Sequence, residues 1–110
     1  MLSSDVMRGY NDTLILSLLM HGDSYGYEIS RNIQERSGGA YVMRETTLYS
    51  AFNRLERLGY VTPYQGTETM GRKRTYYTIT LSGRAFYQEK CEEWKLLQQV
   101  INQFLEEDTP

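Results

Sequence analysis

Apolar positions recur at helical spacing along the first half of the chain and then switch to strict alternation. Met7, Tyr10, Leu14 and Leu18 form one stripe, widened by Ile15 and Leu19, and predict a helix over residues 4–21 that stops at Gly22. Asp23 and Ser24 supply cap chemistry for a second helix over 24–37, in which Tyr25, Ile29 and Ile33 share a register. Gly26 is a poor helix residue, and its use there is to let another helix approach closely. Ser37-Gly38-Gly39 ends that element, and residues 40–43 read as an extended link. A third helix over 45–58 ends at Gly59 and buries Leu48, Phe52, Leu55 and Leu58. Arg44 is a poor N-cap for it, which leaves Thr46 to serve one turn late.

After Gly59 the period changes to two. Residues 60–65 read as a strand that Pro63 confines to a sheet edge. Gly66 and Gly71 bracket a loop, Thr67-Glu68-Thr69-Met70, and residues 72–81 then alternate. Tyr77, Ile79 and Leu81 face one side of that strand, with Arg72, Arg74, Tyr76 and Thr78 on the other. Thr80 can cap a last helix over 81–106, whose apolar pattern is heptad-like: Tyr87, Trp94 and Ile101 are seven apart, as are Leu97 and Phe104. Val100 and Leu105 broaden this seam beyond what a small domain can cover, and a second copy of the helix would cover it. The expectation is a mainly α chain with a small β-hairpin, an α+β fold forming one compact domain. Residues 1–80 make its body, 81–106 a long dimerisation helix and 107–110 a tail.

Composition narrows the function more by exclusion than by assertion. A chain of 110 residues, 40% apolar and 24% charged, is an ordinary globular domain, and its ten tyrosines fall mostly where an amphipathic ring packs well. One cysteine, Cys91, rules out an internal disulfide, and one histidine, His21, leaves no metal cluster. The apolar run 14–20 is too short to span a membrane and no cleavage signal follows it, so a cytoplasmic protein without a membrane role is expected. No nucleophile–base–orienter set and no phosphate-binding glycine loop is present. The chain is therefore not expected to be an enzyme or to carry a cofactor.

Net charge is −2, yet the charge is unevenly spread. Residues 1–80 carry a net +1 and residues 81–110 a net −3, and between Arg44 and Arg74 there are six basic side chains against three acidic ones. Local potential, not the whole-chain charge, steers a polyanion. Within that stretch the third helix lines up Thr46, Ser50, Asn53 and Arg57 on one face, flanked by Thr47, Tyr49 and Arg54. Short hydroxyls, an amide and guanidiniums can bond to base edges or phosphates, and a helix about 10–12 Å across fits the major groove. Arg72-Lys73-Arg74 then follows Gly71 at the mouth of the hairpin, where cations would neutralise phosphates. Helix, strand, basic loop and strand in this order point to double-stranded DNA as the partner.

The same residues carry a family resemblance. Tyr25-Gly26-Tyr27-Glu28-Ile29, Thr47-Leu48-Tyr49, Arg54-Leu55-Glu56, Gly59, Gly71-Arg72, Arg74, Tyr76-Tyr77 and Leu81-Ser82-Gly83 resemble the PadR family of bacterial transcriptional regulators. The likeness runs from about Met7 to Phe104, and the single C-terminal helix is similar to the smaller PadR-like subgroup. Arg44 and Glu45 depart from the Ser-Pro start common before the recognition helix, which leaves that helix's phasing open.

The resemblance implies a winged helix-turn-helix homodimer on a pseudo-palindromic operator, usually a repressor released by small molecules or other signals, here a small hydrophobic or aromatic effector. Carried onto this chain, Thr47, Tyr49, Ser50, Asn53 and Arg54 fall on the recognition helix, with Tyr25 and Tyr27 at its supporting helix. Arg72, Lys73 and Arg74 fall in the wing. Trp94 matches the position at which some small members bind planar hydrophobic compounds between protomers, so Tyr87, Trp94, Leu97, Ile101 and Phe104 form a ligand and dimer seam. Trp94 has a second reading, as a packing residue of that seam. The chain as a whole has one too, as a winged protein-interaction module without an operator.

Overall fold

The computed structural model describes residues 1–66 and 71–105; the expected loop tip 67–70 and the tail from Glu106 onward lie outside them. Element order is α1 (Ser4–Met7), α2 (Asn11–Leu19), β1 (Ser24–Tyr25), α3 (Gly26–Arg36), α4 (Glu45–Arg57), β2 (Val61–Gln65), β3 (Thr75–Ile79) and α5 (Leu81–Asn102). The strands form one antiparallel sheet in the order β1-β3-β2. β2 lies at the edge, where Pro63 has no ladder to interrupt on its outer side.

One buried cluster holds the helices to the sheet. Ile15, Leu16, Leu19, Ile29, Leu48, Ala51, Phe52, Leu55, Val61, Tyr77 and Ile79 are its centre, and Phe52 stacks on Tyr77 with ring centroids 3.9 Å apart. Burying side chains of this kind supplies most of the driving force for folding. Tyr41 and Met43, in the link before α4, join the same cluster, so that segment is core and not a passive connection. Tyr41 Oη donates to Asn11 Oδ1 at 2.6 Å, satisfying two buried polar groups at the start of α2.

Several sequence expectations are corrected. The first helix is two, with a turn at Arg8-Gly9-Tyr10 that lets Met7 enter the core while α2 restarts at Asn11. The buried face of α2 is Ile15, Leu16 and Leu19, and Leu14 and Leu18 are its partly covered flanks. Tyr25 belongs to β1, not to the second helix, because Ser24 and Tyr25 pair with Tyr77 and Tyr76 across the sheet. Leu58 is 51% exposed, since it caps α4 where the chain turns away at Gly59. Leu81 is 86% exposed, because the second strand of the hairpin ends at Ile79 and Leu81 opens α5.

Gly26 and Gly83 sit where another element comes close. A Cβ on Gly26 would meet the Tyr49 hydroxyl at 3.0 Å and Leu48 Cδ2 at 3.4 Å, so the glycine does admit a second helix, α4. A Cβ on Gly83 would lie 2.1 Å from the Tyr60 carbonyl oxygen. That junction is also hydrogen-bonded: Thr80 Oγ1 accepts from the Gly83 amide, capping α5, and both Thr80 Oγ1 and Ser82 Oγ donate to the Gly59 carbonyl at 2.7 and 3.0 Å. α5 therefore leaves the sheet without a linker. Its first turns pack on the body, with Phe86 stacked on Tyr60 at 4.3 Å. Its last turns leave Leu96, Val100 and Ile101 exposed, and Phe104 and Leu105 just beyond its end are exposed as well.

Candidate nucleic-acid interface

α4 is amphipathic with a clean division of labour. Leu48, Ala51, Phe52 and Leu55 are buried, while Thr46, Tyr49, Ser50, Asn53 and Arg57 face outward. Arg44 is extended and makes no side-chain cap, so the first-turn amides of α4 lack a side-chain acceptor from that position. The helix stands as a ridge between two depressions.

On one side, α3, α4 and the wing enclose about 480 Å³, lined by Tyr25, Tyr27, Tyr49, Glu45 and Arg72 to Arg74. On the other, α2, α4 and α5 enclose about 520 Å³, lined by Thr46, Thr47, Ser50 and Arg54 together with Arg8, Asp12, Thr13 and Lys90. The expected DNA-facing residues thus divide between the two flanks of one ridge, and Asn53 lies exposed outside both.

Charge is distributed unequally over these flanks. Arg72 and Lys73 are exposed and Arg74 is half-buried, its guanidinium 5.0 Å from the centre of the Tyr25 ring. All three precede β3, so Arg72 and Arg74 stand at the wing's mouth and not along the regular strand. On the opposite flank the cations are paired: Arg8 with Asp5 at 2.6 Å, Lys90 with Glu93 at 3.2 Å, and Arg54 with Asp12. Arg54 Nε and Nη2 donate to the two Asp12 carboxylate oxygens at 2.9 and 2.5 Å. Such a fork is geometrically specific, and it makes Arg54 a tie between α4 and α2 rather than an open contact. Nothing in the local sequence signals this, because Asp12 lies 42 residues away. Arg8, Thr13 and Lys90 are site-lining residues that sequence reasoning missed for the same reason.

The seam residues also divide. Tyr87, Trp94 and Leu97 line an apolar groove of about 580 Å³, whose far wall is Leu2, Val6, Met7, Tyr10 and Leu14. Trp94 meets Tyr10 edge-on, with ring centroids 5.4 Å apart, and stays 45% exposed. Ile101 and Phe104 lie beyond the groove, Phe104 at 77% exposure. Among the described residues no helix is long and apolar enough to cross a membrane, and no group of three His, Cys, Asp or Glu could hold a metal ion.

A three-helix core, a three-stranded wing sheet and an outward ridge beside a cationic hairpin define a winged helix-turn-helix. Residues 15–89 match the transcriptional regulator PadR-like family. A transcriptional regulator from Clostridium thermocellum superposes with a TM-score of 0.88 at 58% identity, over 96% of this chain and 100% of that one. A PadR family transcription regulator from Clostridium difficile gives 0.78 at 37% identity, over 89% and 100%. An uncharacterized protein of Lysinibacillus sphaericus is 41% identical over 106 residues, 96% of this chain and 97% of its own. The chain belongs to the PadR-like family of transcriptional regulators.

Proposed function

We propose that this regulator is a homodimeric repressor that sets α4 into the major groove of a pseudo-palindromic operator and rests its wing cations on adjoining phosphates. The observation that carries the reading is the α4 ridge, which exposes Thr46, Tyr49, Ser50 and Asn53 and has Arg72 to Arg74 of the wing along its Tyr49 flank. The bare apolar end of α5 supports pairing with a second copy, since five large apolar side chains there lack cover among the described residues. Titrating the protein onto its own upstream DNA and onto random duplex, across a salt series, tests the reading. Tight, salt-sensitive binding that prefers the upstream sequence supports it; failure to bind either duplex leaves an interaction module instead.

Base reading falls to the outward residues of the ridge. Asn53→Ala or Ser50→Ala should reduce discrimination between operator and random DNA by on the order of 1–3 kcal/mol for each base interaction removed. Equal effects on both duplexes would assign these side chains to the backbone instead.

Release is proposed to act through the α5 groove. Its walls are apolar on both sides, and the half-exposed Trp94 indole offers a flat face to an aromatic effector. The only tryptophan of the chain reports on its own site. Its emission should quench on titration with flat aromatic dyes, and Trp94→Ala should abolish their binding while leaving the dimer folded. A variant that unfolds or dissociates makes Trp94 a packing residue. Wild-type emission that ignores a broad dye panel, with DNA binding intact, places the effector elsewhere.

A further inference from the structure

The outer face of the sheet carries a row of three tyrosines that the fold builds from three separate strands. Tyr25 of β1 pairs with Tyr76 of β3, and Tyr76 pairs with Tyr64 of β2, so one register line runs through all three. Their rings follow that line. Tyr64 and Tyr76 lie 5.8 Å apart at 27°, and Tyr76 and Tyr25 lie 5.2 Å apart at 51°. Both ends of the row are fixed: Tyr64 Oη donates to Asp23 Oδ2 at 2.7 Å, and Tyr25 lies under the Arg74 guanidinium.

Gly66 makes room for the central ring. It sits opposite Arg74, donating its amide to the Arg74 carbonyl at 2.8 Å, and a Cβ there would lie 1.9 Å from Tyr76 Cδ1. The Tyr76 ring therefore lies across the glycine, filling the place where a side chain beside the wing arginine would stand. Arg74 is two residues before Tyr76, immediately ahead of β3. Its Nε is buried and, among the described residues, has no hydrogen-bond acceptor. The Tyr25 ring face lies below the guanidinium.

We infer that Tyr76, buttressed by Tyr64, is a positioning residue for Arg74: it keeps the Tyr25 ring under the guanidinium and so presents Arg74 to a phosphate already oriented. This rests on the reading of the wing as a phosphate-contacting surface. An arginine free in solvent gives up rotamer freedom when it meets a phosphate, and one already seated on a ring has less to lose. Tyr76 then governs wing affinity without touching DNA.

Duplex affinity of the full-length protein across a salt series, for wild type, Tyr76→Leu, Tyr76→Phe, Arg74→Ala and the Tyr76→Leu/Arg74→Ala double variant, tests this. Tyr76→Leu should weaken binding roughly two- to fivefold per protomer, the range an exposed cation–π interaction spans. Tyr76→Phe, which keeps the ring, should bind as wild type. In the Arg74→Ala background Tyr76→Leu should have no further effect. A weakening by Tyr76→Leu that persists undiminished without Arg74, or none at all while Arg74→Ala weakens binding, overturns the inference and leaves the wing reading standing. If Arg74→Ala itself changes neither affinity nor salt slope, the wing reading fails and this inference falls with it. Should Tyr76→Leu lower the melting temperature enough to obscure binding, Tyr64→Leu on the edge strand replaces it, with the same dependence on Arg74 expected.

Discussion

Phe52→Ala is expected to remove about 3–5 kcal/mol of folding stability. The ring is fully buried, and it lies parallel to Tyr77 at 3.9 Å with an interplanar angle of 5°. Truncation loses the transfer free energy of the ring and leaves a void between α4 and β3, and the cost rises with whatever part of that void fails to collapse. Set against a total stability of about 5–15 kcal/mol for a domain of this kind, the variant should unfold at much lower denaturant concentration. Urea unfolding followed by circular dichroism measures it. A change below about 1 kcal/mol would mean that neighbours refill the space, contrary to the close packing expected of a core. The same ring joins α4 to the wing strand, so on the proposed reading a partly relaxed variant should also lose operator discrimination before it loses helix content.

Arg72→Ala combined with Arg74→Ala should weaken binding to specific and nonspecific duplexes alike. Both cations stand at the mouth of the hairpin, and in the proposed complex they meet phosphates and not base edges. Taking away one cation–phosphate interaction lowers the log–log dependence on salt by close to one unit, so the pair should flatten the slope by about two units per protomer. In the proposed dimer the effect doubles. An unchanged slope would remove the wing from the interface, whatever happened to affinity at one salt concentration. Arg54→Ala should behave differently, because its guanidinium is already committed to Asp12.

The α4 ridge is the most legible part of the chain. Its periodicity marked residues 45–58 against the observed Glu45–Arg57, and the polar face fell where the structure exposes it. Pro63 announced an edge strand and Thr80 a helix cap, both local rules that the structure follows. What the sequence concealed was non-local. β1 is two residues long, and its existence depends on pairing with a strand some fifty residues later, which outweighed the helical register of Tyr25. The tyrosine row needs the registers of three strands at once, and the alternation of Tyr76 with Tyr77 reveals a face but not its neighbours. The division of the seam follows from the turn at Arg8-Gly9-Tyr10, which brings Tyr10 to Trp94. No period in the sequence encodes that meeting.

The joint between the sheet and α5 has a mechanical consequence. Thr80 and Ser82 are pinned to the carbonyl of Gly59, and Gly83 has no room for a side chain against Tyr60. The end of the ridge and the root of the long helix are thus one welded corner. α5 has 22 residues, about 33 Å of rod, so roughly 10° of rotation at that corner sweeps its far end through about 6 Å. In the proposed dimer the two rods are the arms of a pair of callipers, and the gap they hold open is the distance between half-sites. On that proposal, a compound seated in the α5 groove that tilts the rod need not reach the DNA to change the spacing.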